Sequence, residues 1–278
     1  MKRNPGVHGR IALWGGALVL VALSGCAAVQ TTESGTIGVQ RKQYMAAAVP
    51  AATLQQEANR QYADLMQQAR AAGALDANAA QAKRVRTIVN KLVAQVSIFR
   101  PDAPNWPWEV HVISADEVNA WCMPGGKMAV YTGLINRIKP TDDELAAVLG
   151  HEMAHALREH SREQVSQQMA TQMGVSVLAA VTGVSAAGDL GAALSKVMFT
   201  LPNSRTHESE ADLIGVELAA RAGYDPRAAV TLWQKMASLG GGNAPPEFLS
   251  TRPSAATRSA ELQRNAEKVM PLYEAARR

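Results

Sequence analysis

The residues best suited to chemistry in this 278-residue chain are the run His151-Glu152-Met153-Ala154-His155. Histidines four apart on a helix project from one face, about 6 Å apart along the axis, so both imidazoles can reach a single metal ion. The glutamate between them sits beside the first histidine, near enough to contact a water on that metal without being a ligand. A hydrolytic zinc site needs three protein ligands and an open position, so the run is incomplete without a third donor. Downstream, in Arg205-Thr206-His207-Glu208-Ser209-Glu210-Ala211-Asp212, Glu208 and Asp212 are again four apart. With Glu208 as third ligand and Asp212 as an acceptor orienting a histidine N–H, the set becomes a two-histidine, one-carboxylate site for one Zn2+.

Other residues near this set are read more plainly. Glu210 points about 200° around the helix from Glu208, and His207 about 100°. His207 is therefore taken as packing ahead of an auxiliary role in the reaction. His160 and His111 read as surface or strand residues, and Trp106, Trp108 and Trp233 as core. Cys122, between Trp121 and Met123, reads as a small buried hydrophobe rather than a reactive thiol.

The elements that must position these groups are mostly helical. Leu54, Ala58, Tyr62, Leu65, Met66 and Ala69 recur at helical spacing, as do Val85, Ile88, Val89, Leu92, Val93 and Val96. Val110 and Val112 alternate with Glu109 and His111 as in a strand. Lys127 to Tyr131 forms a second extended piece after the turn Pro124-Gly125-Gly126. Thr141 and Glu144 make a capping box that opens the motif helix, and Asp142 and Asp143 suit its dipole. From Gln164 to Gly188 no residue is charged, but glutamines and glycines interrupt the stretch, which predicts a buried or partner-covering helix rather than a membrane span. Further helices are expected over 204–222 and 226–239 and from about Ser254. The fold class is α+β, mainly helical, with a small sheet.

Composition narrows the function. With 47% hydrophobic and 19% charged residues, the chain is globular rather than disordered. The net charge of +4 invites a nucleic-acid reading, but Lys2, Arg3 and Arg10 lie in a segment that looks disposable, and without them 25 bases face 24 acids. Those bases precede the apolar run Ile11–Leu23 and the small residues Ser24-Gly25-Cys26, the layout of a secretory signal. Leu23-Ser24-Gly25-Cys26 resembles the bacterial lipobox, which implies lipidation of Cys26. Ala27 in place of an aspartate implies an outer-membrane, periplasm-facing address. The chain is thus expected to divide into a signal at 1–25, a lipidated N-terminus and tether at 26–52, and a domain at 53–278 that carries the zinc-site residues, with no nucleic-acid partner expected.

The motif His-Glu-x-x-His followed by Glu-x-x-x-Asp resembles the peptidase family of the CAAX prenyl protease and HtpX, and in particular its periplasmic lipoproteins of the LoiP, YcaL and BepA type. Asn119 to Gly126, Thr132-Gly133-Leu134 and Ala222 to Pro226 extend the resemblance over about 55–275. It implies a zincin-like fold, with His151, His155 and Glu208 as zinc ligands and Glu152 as catalytic base. It also implies an edge strand at 126–131 (Gly126, Lys127, Met128, Ala129, Val130) along which an extended peptide lies. Where family members read Ser-Thr-His-Pro, this chain has Ser250-Thr251-Arg252-Pro253. An arginine cannot ligate zinc as that histidine can, which makes Arg252 an auxiliary candidate for holding negative charge on substrate. The expected activity is zinc-dependent endoproteolysis of unfolded or misassembled envelope proteins, with the outer-membrane assembly machinery as a further partner. The alternative is a periplasmic chaperone that uses the metal groove mainly for binding; a retained Glu152 favours catalysis.

Overall fold

The computed structural model describes residues 26–182, 190–239 and 255–278. The expected export signal and Arg252 lie outside the described residues. The periodic apolar stretches become α1 (Ala51–Ala71) and α2 (Ala79–Val93), whose inward faces carry Leu54, Ala58, Tyr62 and Met66, and Val85, Ile88, Val89 and Leu92. Three strands follow, β3 (Glu109–Ile113), β4 (Ala120–Met123) and β5 (Lys127–Tyr131), numbered after the N-terminal pair β1 (Cys26–Val29) and β2 (Gln43–Ala46). The remaining helices are α3 (Thr132–Ile138), α4 (Asp142–Leu157), α5 (His160–Thr182), α6 (Leu190–Phe199), α7 (Arg205–Arg221), α8 (Ala228–Leu239) and α9 (Ala255–Ala276).

Thr141 and Glu144 do form a capping box: the Glu144 N–H donates to Thr141 Oγ1 at 3.2 Å, and the Thr141 N–H to Glu144 Oε2 at 2.8 Å. Every residue of α4 from Glu144 to Leu157 is buried. A helix covered on all sides is the centre of a fold rather than its surface, and α4 lies among α2, β4, α7 and α8. No helix among the described residues is long and apolar enough to cross a membrane.

Two expectations are corrected. The three-stranded sheet has the order β3-β5-β4. β5 pairs in parallel with β3 from Glu109↔Lys127 to Ile113↔Tyr131, and antiparallel with β4 from Ala120↔Val130 to Met123↔Lys127. Residues Gly126, Lys127, Met128, Ala129 and Val130 therefore do not form an edge strand; β5 is central, and the edges are β3 and β4. The hairpin turn at Gly125 and Gly126, both at positive φ, was legible. The side on which β3 would add was not, since alternation alone does not choose between the edges of a hairpin.

The stretch read as a tether is partly docked. β1 and β2 pair antiparallel with Cys26 opposite Ala46, and Gln43, Met45 and Val49 are buried. The packing combines scattered apolar residues, Ile37, Val39, Met45 and Val49, with side-chain hydrogen bonds from Arg41 and Gln43, so it leaves no regular period in the sequence.

The close approach of α4 to α7 sets the geometry of everything below. A Cβ on Gly150 would lie 2.8 Å from the Gly215 carbonyl oxygen, and one on Gly215 would lie 2.7 Å from the His151 backbone nitrogen. Neither neighbour is a side chain that can rotate away. Gly215→Ala is expected to destabilise the protein by about 1–3 kcal/mol through overpacking and to lower its metal uptake by spreading the two helices. Denaturant titration with metal analysis checks this; unchanged stability and uptake would refute it.

Candidate metal centre

α4 carries His151, Glu152 and His155, and α7 carries Glu208, Glu210 and Asp212. Ser204 caps α7, its Oγ accepting the His207 N–H at 3.1 Å, which fixes where Glu208 emerges. His151, His155 and Glu208 are all buried and each offers a donor atom to one point. His151 Nε2 lies 3.0 Å from His155 Nε2 and 3.4 Å from Glu208 Oε2, and His155 Nε2 lies 3.4 Å from Glu208 Oε1. Bonds of about 2.0–2.1 Å to a tetrahedral ion would set neighbouring donors roughly 3.4 Å apart, so the residues fit such an ion.

Hydrogen bonds behind the donors determine which ring nitrogens face the centre. His151 Nδ1 lies 2.9 Å from Asp212 Oδ1. A carboxylate can only accept, so the proton sits on Nδ1 and the Nε2 lone pair points inward. Burial pushes the Asp212 carboxyl up, but the charge of Arg258 and the bonds from His151 and Arg258 outweigh it and hold it below the ordinary aspartate value. Arg258, from α9, donates through Nη2 to Asp212 Oδ1 at 2.5 Å, reaches Glu208 Oε2 at 3.5 Å and stacks 3.6 Å above the Trp233 ring.

His155 has a longer chain of partners. Its Nδ1 lies 2.9 Å from His160 Nδ1, and His160 Nε2 lies 3.0 Å from Glu210 Oε2. Glu210 accepts, so His160 carries its proton on Nε2 and, when neutral, accepts at Nδ1 from His155. That leaves His155 Nε2 as a lone pair toward the centre. Burial, then the charges of His155, His207 and Arg158, hold the His160 pKa well below its ordinary value, consistent with a neutral ring.

His160 is therefore not a surface residue, and Glu210, which points away from Glu208 as expected, points toward this second support. His207 is buried behind the site, stacked on His160 with centroids 4.4 Å apart and 3.1 Å from Glu163 Oε2. His111 lies half-buried in β3 as expected.

A cleft of about 610 Å³ adjoins the centre, and Glu152, His155, Glu208, Trp121 of β4 and Phe199 of α6 are among the residues that line it. Trp121 and Phe199 meet edge to face at 5.8 Å. The edge strand bordering the cleft is thus β4. Residues 197–203, which follow the uncharged stretch 164–188, also line the cleft. Arg205, the first residue of α7, is the lining's one lysine or arginine among the described residues. Cys122 is buried, and burial followed by the Glu152 charge raises its thiol pKa well above the ordinary value, as fits a packing role.

Residues 79–266 match the family model described as Peptidase family M48. Mitochondrial metalloendopeptidase OMA1 of Arabidopsis thaliana is 43% identical over 152 residues, covering 55% of this chain and 30% of that protein. Metalloendopeptidase OMA1, mitochondrial, of Bos taurus is 36% identical over 202 residues, covering 68% of this chain and 38% of that protein. The beta-barrel assembly-enhancing protease of Escherichia coli (strain K12) is 28% identical over 183 residues, covering 60% of this chain and 36% of that protein. The chain spans only about a third of the length of these relatives, and its identity to OMA1 exceeds that to the bacterial protease, which the lipoprotein-type resemblance did not anticipate. The matched residues contain both helices that build the three-donor centre, and on that match the chain belongs to Peptidase family M48.

Proposed function

We propose that this chain is a zinc-dependent endopeptidase that cleaves unfolded or misassembled proteins. The observation that carries the reading is the convergence of three buried donors, two of which line a cleft bordered also by Glu152 and by edge strand β4. His151, His155 and Glu208 would hold the ion, with Asp212 orienting His151. Zinc, when bound, supplies Lewis acidity toward a carbonyl oxygen and a more acidic water. Glu152 takes a proton from the attacking water and passes it to the leaving amine. β4 offers backbone groups to an extended peptide, which gives binding tolerant of sequence. Trp121 and Phe199 favour large apolar side chains, and Arg205 provides positive charge for a carbonyl oxygen as it becomes anionic.

For the setting, we infer a bacterial outer-membrane lipoprotein facing the periplasm, acylated at Cys26. The signal-like N-terminus supports this address, and the similarity to a beta-barrel assembly-enhancing protease supports partners in outer-membrane assembly.

The test is zinc analysis combined with degradation of a reduced, alkylated polypeptide. Purified protein is expected to carry about one zinc per chain, to lose cleavage on chelation and to regain it with added zinc. Cleavage that persists after complete metal removal, or protein that takes up no metal, would overturn the reading. Zinc binding without cleavage would point to the chaperone alternative.

A further inference from the structure

Behind His155 lies a buried cluster built partly from residues 31–43. Arg41 binds two carboxylates at once: Nε to Glu210 Oε1 at 2.7 Å, and Nη1 and Nη2 to Glu163 Oε1 and Oε2 at 2.6 and 2.8 Å. Gln43 Nε2 donates to Glu163 Oε2 at 2.9 Å and to the Arg158 carbonyl at 2.7 Å. Arg158 in turn donates to Glu210 Oε2 and to the Arg41 carbonyl, both at 3.0 Å. Arg41 and Arg158 thus balance Glu163 and Glu210, and the same Glu210 oxygen that meets Arg158 receives the His160 N–H.

A planar guanidinium fixes carboxylates in both distance and orientation. Arg41 therefore defines where Glu210 Oε2 sits, Glu210 defines the proton position on His160, and His160 defines that on His155. Without Arg41, the carboxylate behind His160 is held by Arg158 alone, in a cluster with one cation for two acids. Residues 31–43 lie outside the family-matched stretch 79–266, so nothing in the family match assigns them a part in the site.

We propose that residues 31–43 form a positioning strap for the metal centre: Arg41, acting through Glu210 and His160, holds His155 with its Nε2 lone pair toward His151 and Glu208, and metal affinity depends on the strap being seated. This rests on the reading of His151, His155 and Glu208 as ligands. Arg41 touches neither metal nor substrate; its role is to position.

The experiment uses the full chain and measures zinc dissociation constants by competition with a chromophoric chelator, together with the visible spectrum of the cobalt(II)-loaded protein. Arg41→Gln is expected to weaken zinc binding by about 10–100-fold, the usual effect of losing an outer partner of a ligand. It is also expected to change the cobalt spectrum and to lower kcat on a model peptide with little change in KM. Arg41→Lys, which keeps the charge but not the fork, should recover part of the affinity. Val89→Ala, a core change in α2 away from the cluster, controls for lost stability and should leave zinc affinity and spectrum as in the wild type. If Arg41→Gln folds and binds zinc as tightly as wild type with the same cobalt spectrum, the strap is only structural and the proposal fails. It also fails if Val89→Ala loses as much affinity. Should Arg41→Gln not fold, Gln43→Met is measured instead, where a several-fold loss supports the proposal and no loss overturns it. A wild-type protein that binds no zinc refutes the ligand reading itself, an outcome separate from these.

Discussion

Glu152→Gln is expected to lower the rate of peptide hydrolysis by about 10²–10⁴-fold, the usual contribution of a general base, while zinc content and thermal stability stay at wild-type values. Glu152 follows His151 directly and lines the cleft with His155 and Glu208, but it is not among the three groups that converge on the centre. Glutamine keeps the shape and volume of the side chain but replaces a proton-accepting carboxylate with a neutral amide. Single-turnover cleavage of a chromogenic peptide, with metal analysis of the same sample, separates the roles. A variant that loses zinc would make Glu152 a ligand, and one that keeps full rate would remove it from the mechanism.

The second large effect concerns Arg258. Its guanidinium is buried against Asp212 and Glu208, with the side chain 3% exposed. Arg258→Met keeps the stem that covers Trp233 and leaves two carboxylates without this cation. Breaking a buried pair by removing one partner typically costs about 3–5 kcal/mol. The acid limb of stability should also move. The Asp212 pKa is depressed in the folded state, so its contribution is complete above the unfolded aspartate value, about 3.9, and is lost as pH falls through the folded value. In Arg258→Met that depression shrinks, and the stability Asp212 contributes above its unfolded pKa shrinks with it. Denaturant titrations of metal-free protein from neutral pH downward test both points. A loss below about 1 kcal/mol with an unchanged acid profile would show that the pair contributes little.

Much of the centre was legible because its spacing is local. The two histidines, and Glu208 with Asp212, are each four apart on a helix, and the capping box at Thr141 and the cap at Ser204 mark where those helices start. What could not be read depends on contacts between distant segments. His160 follows α4 by three residues, yet its role is set by Glu210 fifty residues on. Trp121 and Phe199, 78 residues apart, meet beside the centre only in the folded chain. The central position of β5 follows from where β3 adds, and the seating of residues 31–43 from two buried apolar side chains, Ile37 and Val39, and side-chain hydrogen bonds that together impose no regular period. Arg258 sits in no local pattern that marks it, and its pairing with Asp212 and Glu208 exists only once α9 lies against α7.

The supports of the centre are far apart along the chain. Arg41 meets Glu163 and Glu210 across 122 and 169 residues, and Arg258 reaches back 46 residues to Asp212. Synthesis runs from the N-terminus, so the strap is made first and waits for most of the polypeptide before its partners exist, and Arg258 emerges well after both motif helices. Contacts of such long sequence separation form late and slowly. A nascent chain can therefore hold both histidines, Glu208 and Asp212 before Arg258, the buried cation that pairs with both carboxylates, has been made.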